Sequence, residues 1–81
     1  SEFSAYPNPF VSKLNIKINA GKSQEVKIQL FSVNGKLVFN ENRHVESGSN
    51  ELEISPNVAQ GIYILEMNVD GKQTTIKVIK N

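Results

Sequence analysis

The chain has 81 residues and a mass of 9.0 kDa, enough for one domain with one modest core. Hydrophobic residues make up 38% and charged residues 21%, ordinary for a globular fold, so neither disorder nor a membrane-spanning segment is indicated. Net charge is only +1, and with no Cys, one His and one Asp the chain excludes disulfide scaffolds and thiolate metal sites and leaves little for a catalytic triad.

Eight Ile and eight Val against three Ala and five Leu favour sheet over helix, because χ1-stiff side chains pack well on a pleated surface. Residues 11–40 carry five lysines against Glu25, whereas residues 41–70 carry Arg43 against five glutamates and Asp70. Strands of opposite sign can then neighbour each other favourably. No basic cluster interleaved with aromatics suggests nucleic acid as a partner. Ser1-Glu2-Phe3 reads as a cloning scar ahead of a domain spanning 4–81, and no signal peptide pattern is visible, so the chain is expected to be a piece of a longer protein.

In chain order, Tyr6-Pro7-Asn8-Pro9-Phe10 reads as an extended edge or polyproline II segment, since neither proline can donate to a ladder. From Lys13 to Asn19 the alternation of Leu14, Ile16 and Ile18 with polar residues predicts a half-buried strand. Residues 20–23 turn it into a second strand with Val26, Ile28 and Leu30 inward. Asn34-Gly35 predicts a type I′ hairpin turn, with both central residues at positive φ. The strand that follows, Lys36 to His44, starts with Leu37, Val38 and Phe39 and so reads as covered on both faces. Phe31 and Phe39 flank the turn within cross-strand pairing range.

Glu46 to Ser49 reads as a loop, and Leu52 and Ile54 as a short fourth strand ended by Pro56. The segment Pro56–Gly61 is a crossing loop plugged by Val58. Ile62 to Val69 is nearly all apolar and predicts a central strand in which Ile64 and Leu65 compete for the interior. Asp70-Gly71 predicts a second type I′ turn into a last strand, Lys72 to Lys80, with Ile76 and Val78 inward. Six strands and one proline-limited edge segment make an all-β, immunoglobulin-like antiparallel β-sandwich of about seven strands. Tyr63, just after a crossing loop, occupies the place of a tyrosine corner.

Chemistry has few footholds. His44 near Glu46 could be written as a base with its orienting carboxylate, and Glu51 with Glu53 as a carboxylate pair, but both read better as solvated charge. Asp70 stands alone in its hairpin, too little for a calcium site. Tyr6 is the one candidate platform for a sugar ring. No cofactor, metal or catalytic residue is expected.

The ordered set Tyr6-Pro7-Asn8-Pro9-Phe10, Leu14-Asn15-Ile16, Val26-Lys27-Ile28, Asn34-Gly35-Lys36-Leu37-Val38, Gly61-Ile62-Tyr63 and Ile76-Lys77-Val78-Ile79-Lys80 closely resembles the C-terminal sorting domain of type IX secretion cargo. The resemblance runs from Tyr6 to Lys80. It implies a non-catalytic seven-stranded sandwich that addresses its parent, after passage through the periplasm, to an outer-membrane translocon and shuttle proteins of a Gram-negative bacterium. A sortase-like surface peptidase then removes the domain, and the cargo is released or anchored at the cell surface. The same resemblance marks Pro7, Asn8, Pro9, Asn34, Gly35, Lys36, Gly61 and Tyr63 as architectural. It marks Ile76, Lys77, Val78, Ile79 and Lys80 as recognition residues, read by strand addition at an edge. Deleting Lys77 to Asn81 is accordingly expected to abolish export while leaving the rest folded. The alternative is an immunoglobulin-like spacer or carbohydrate-binding module of a secreted enzyme. Exposed edge strands would also allow a dimer of the excised domain.

Overall fold

The computed structural model describes residues 2–81. It consists of seven strands: β1 (Glu2–Tyr6), β2 (Leu14–Ala20), β3 (Gln24–Ser32), β4 (Leu37–Val45), β5 (Gly48–Ile54), β6 (Gly61–Val69) and β7 (Lys72–Lys80). They form two antiparallel sheets, one in the order β1-β2-β5 and one in the order β4-β3-β6-β7. The β-sandwich expected from the alternation is present.

The core lies between the two sheets. Leu14, Ile16, Ile18 and Ala20 of β2 and Ile54 of β5 face Val26, Ile28 and Leu30 of β3, Tyr63, Leu65, Met67 and Val69 of β6, and Val78 of β7. Period-two alternation places these side chains on the inner faces. In β6 the choice falls on Leu65, which is fully buried, while Ile64 points to the outer face and is only half-buried. The expected central strand is therefore central in the sheet but two-sided in character: Ile62, Ile64, Glu66 and Asn68 alternate with the core residues.

Three expectations need correction. The edge strand is Glu2–Tyr6, upstream of the prolines, paired with β2 through Phe3↔Ile18 and Ala5↔Ile16. The Pro7–Phe10 segment itself lies along a different edge, beside β7, where Phe10 bridges Lys80, and makes no ladder with β2. The Asn34-Gly35 turn is not type I′. Gly35 alone has positive φ (87°), its N–H donates to the Ser32 carbonyl at 2.9 Å, and the Ser32 N–H donates to the Lys36 carbonyl at 2.8 Å. This is a three-residue loop with glycine in the left-handed position, the other common hairpin closure. Lastly, Leu37 is 43% exposed, so the start of β4 is not covered on both faces. A register shift opposite Leu30/Phe31 spends Val38 as an extra residue, which turns Val38 and Phe39 to the core and Leu37 outward. By contrast, Asp70 (φ 56°) and Gly71 (φ 79°) form the expected type I′ turn.

Candidate recognition site at one end of the large sheet

β3 ends, β4 begins, β6 begins and β7 ends at the same end of the four-stranded sheet, as the pairs Ser32↔Tyr63, Phe31↔Leu37 and Gly61↔Lys80 require. Antiparallel register thus gathers residues far apart in sequence. Asn34, Gly35 and Lys36 lie in the β3–β4 loop, Gly61 and Tyr63 at the start of β6, and Lys77 to Lys80 at the close of β7.

The Pro7–Phe10 segment joins this end from the side. The peptide bonds preceding Pro7 and Pro9 are cis. The side-chain amide of Asn8 donates to the Lys77 carbonyl at 3.0 Å and accepts from the Ile79 N–H at 2.9 Å. Phe10 continues the pattern: its N–H donates to the Ile79 carbonyl and its carbonyl accepts from the Asn81 N–H, both at 2.8 Å. Asn8 supplies through its side chain the donor and acceptor that a neighbouring strand would supply through its backbone, while Pro7 and Pro9, which lack an N–H, need no ladder partner. Phe10 then inserts its ring into the core with no exposed surface.

This geometry bears on strand addition. Because both the N–H and the carbonyl of Ile79 point away from β6, odd-numbered residues present the outer edge of β7. From the Lys77 carbonyl to Asn81 that edge is occupied by Asn8 and Phe10. An incoming strand could bind only at Gln73, Thr75 and the Lys77 N–H. The side chains divide similarly. Val78 is fully buried and Ile76 packs on the core, whereas Lys77 is exposed and Ile79 and Lys80 are half-exposed. Deleting Lys77 to Asn81 would remove a core side chain together with the anchorage of Phe10. The expectation that the remainder stays folded is therefore not supported by the packing.

Tyr63 fulfils the corner geometry: its ring is buried and its hydroxyl donates to the Ala59 carbonyl at 2.6 Å. Gly61 lies beside it with φ 156°, where an added Cβ would stand 3.7 Å from the tyrosine ring. Lys36, Leu37 and Val38 of the hairpin line a shallow depression with Asn57, Val58 and Ala59, and Tyr63 is at its floor. Sequence reasoning named Lys36, Val58 and Tyr63 separately; their meeting follows from the sheet register.

The remaining candidates lie elsewhere. His44 sits between two carboxylates, Glu46 at 2.8 Å and Glu25 at 3.4 Å, on an exposed face. Hydrogen bonds from His44 and Ser23 hold the Glu46 carboxyl below the usual carboxylate range. The Ser23 hydroxyl bonds Glu46 and not the His44 ring, whose two nitrogens face carboxylates, so the histidine is not set as a base to a serine. Glu51 and Glu53 have separate partners, Tyr6 and Lys13. The Tyr6 hydroxyl donates to Glu51, which raises the phenol pKa and ties down the one ring proposed as a sugar platform. Among the described residues no three His, Asp or Glu side chains gather as a metal site, and no helix is long and apolar enough to cross a membrane.

Residues 4–81 match the family described as the secretion system C-terminal sorting domain. Comparison with curated proteins yields no match. Among solved structures, a beta-glucosidase from Listeria innocua in complex with gluconolactone is similar at 11% identity with a TM-score of 0.47. The likeness covers 99% of this chain but only 16% of that one.

Proposed function

Because the chain belongs to the type IX secretion C-terminal sorting domain family, we propose that it is a non-catalytic address label, which carries its parent polypeptide from the periplasm through the outer-membrane translocon. In this reading shuttle proteins and the translocon bind the folded sandwich, a sortase-like surface peptidase removes it, and the cargo is released or anchored at the cell surface. The observation that carries the reading is the family match over residues 4–81. Its support in the fold is the assembly of Gly35, Lys36, Gly61, Tyr63, Lys77 and Lys80 at one end of the large sheet. Lys77 and Ile79 are the recognition residues whose side chains reach solvent on the sheet face, while Lys80, in phase with buried Val78, lies on the other side of the strand. Val78 and Ile76 serve the reading indirectly, by holding β7 in place.

The test is a fluorescent reporter carrying residues 1–81 at its C-terminus, expressed in a bacterium that has the type IX apparatus. Export dependent on both the domain and the translocon supports the proposal; retention of the intact fusion in the cell contradicts it. Self-association of the excised domain through β7 would use Gln73 to Lys77, the stretch left open beside Asn8; β1, β5 and β4 are the other edge strands.

A further inference from the structure

The outer face of an antiparallel sheet that meets water is ordinarily polar along its length. Here all four strands of the large sheet change character at the same height. In β3 the outward series Glu25, Lys27, Gln29 ends in Phe31; in β4 Asn42 and Asn40 give way to Leu37. In β6 Asn68 and Glu66 give way to Ile64 and Ile62, and in β7 Gln73 and Thr75 give way to Lys77 and Ile79. Register sets these residues side by side: Leu37 opposite Phe31, Phe31 opposite Ile64, Ile64 opposite Lys77, and Ile62 opposite Ile79. Leu37 and Ile62 are 43% and 46% exposed, and all five apolar side chains stand outside the core cluster.

One cation stands in this band. Lys77 lies within it and takes part in no ion pair among the described residues, whereas Lys80, in phase with buried Val78, and Lys36, beside Val58 and Tyr63, belong to the opposite face. The ion pairs that do form involve Lys13, Arg43 and His44, elsewhere on the molecule. Glu66 is the nearest acid on the face, one row away opposite Thr75. An apolar patch holding one unpaired lysine complements an apolar protein surface that presents a carboxylate.

We propose that Phe31, Leu37, Ile62, Ile64 and Ile79, with Lys77, form the docking surface by which a component of the secretion apparatus, through an apolar face that presents a carboxylate to Lys77, recognises this domain. The inference rests on the sorting-domain reading and deepens it, moving recognition from the edge of β7 to the sheet face.

The same reporter fusion tests it with Leu37→Asp, Ile62→Asp, Lys77→Glu and Lys77→Arg. Val11→Asp, which alters an apolar residue 67% exposed outside the band, is the control. Thermal melts of each 81-residue variant separate folding from docking, and Ile62→Ser replaces the aspartate variant should that one melt early. Export is expected to fall about tenfold or more for Leu37→Asp, Ile62→Asp and Lys77→Glu, as on losing an interface anchor. Val11→Asp and Lys77→Arg should export like the parent. Parent-like export of the three band variants overturns the docking surface while leaving the sorting function standing. Failure of the unaltered fusion to export overturns both. A dimer of the parent chain that Ile62→Asp dissociates would identify a second copy as the occupant and overturn the acidic partner.

Discussion

Gln24 and Asp70 hold each other at two points: the Gln24 amide donates to the Asp70 carboxylate at 2.7 Å, and the Asp70 backbone N–H donates back to the Gln24 side-chain carbonyl at 2.8 Å. The second carboxylate oxygen accepts from the Gly21 N–H at 2.8 Å. One aspartate in the β6–β7 turn therefore fastens the loop that joins β2 to β3, tying the two sheets at the end opposite the recognition site.

The Gln24 and Gly21 hydrogen bonds hold the Asp70 carboxyl below its ordinary value of 3.8. A carboxyl depressed on folding stabilises the fold fully above its unfolded pKa and loses that contribution as pH falls through the lower folded value. Asp70→Asn keeps a residue that tolerates positive φ but loses one acceptor. The variant should melt earlier than the parent at pH 6, and the gap should narrow on titration towards pH 2 in a series of thermal melts.

Asn8 substitution probes the covered edge of β7. Asn8→Ala removes two hydrogen bonds and should cost about 1–2 kcal/mol in denaturant titration. Asn8→Asp keeps an acceptor for Ile79 but sets a carboxylate oxygen against the Lys77 carbonyl, so it should be no better. Amide hydrogen exchange at Ile79 should accelerate in Asn8→Ala, which alone deletes the acceptor. Unchanged protection there would show that Phe10 alone secures the edge.

The inward choice in β6 predicts a sharp contrast between neighbours. Leu65→Ala should cost about 3 kcal/mol by emptying a fully buried site. Ile64→Ala, on the outer face, should cost about 1 kcal/mol. Equal losses would mean that the outer face is covered within the domain itself.

At the first hairpin only Gly35 adopts a left-handed conformation. Gly35→Ala should destabilise by about 1–2 kcal/mol, whereas Asn34→Ala should change stability by less than about 0.5 kcal/mol. Comparable penalties at both positions would restore the type I′ turn.

Tyr63→Phe preserves the buried ring and deletes only the bond to the Ala59 carbonyl. Its expected cost is about 1 kcal/mol, read by chemical denaturation. A larger loss, with disorder spreading through the 56–61 loop, would assign the hydroxyl a wider part in shaping the depression beside Lys36.

Local pattern alone determined the strands, because Leu14, Ile16 and Ile18, or Val26, Ile28 and Leu30, alternate with polar neighbours and a period of two dictates a single buried face. The Asp70-Gly71 turn and the corner role of Tyr63 were legible for the same reason: each depends on residues close in sequence. Where both faces of a strand are apolar the pattern carries no phase, so Leu65 and Ile64 could be told apart only once β6 was packed against β2. The strand at Glu2–Tyr6 and the closure of β7 by Asn8 and Phe10 depended on partners far along the chain, and no local signal foretells which distant carbonyl a side-chain amide will meet. The apolar band is likewise a product of register, since Phe31, Leu37, Ile62, Ile64 and Ile79 become neighbours only when four antiparallel strands align.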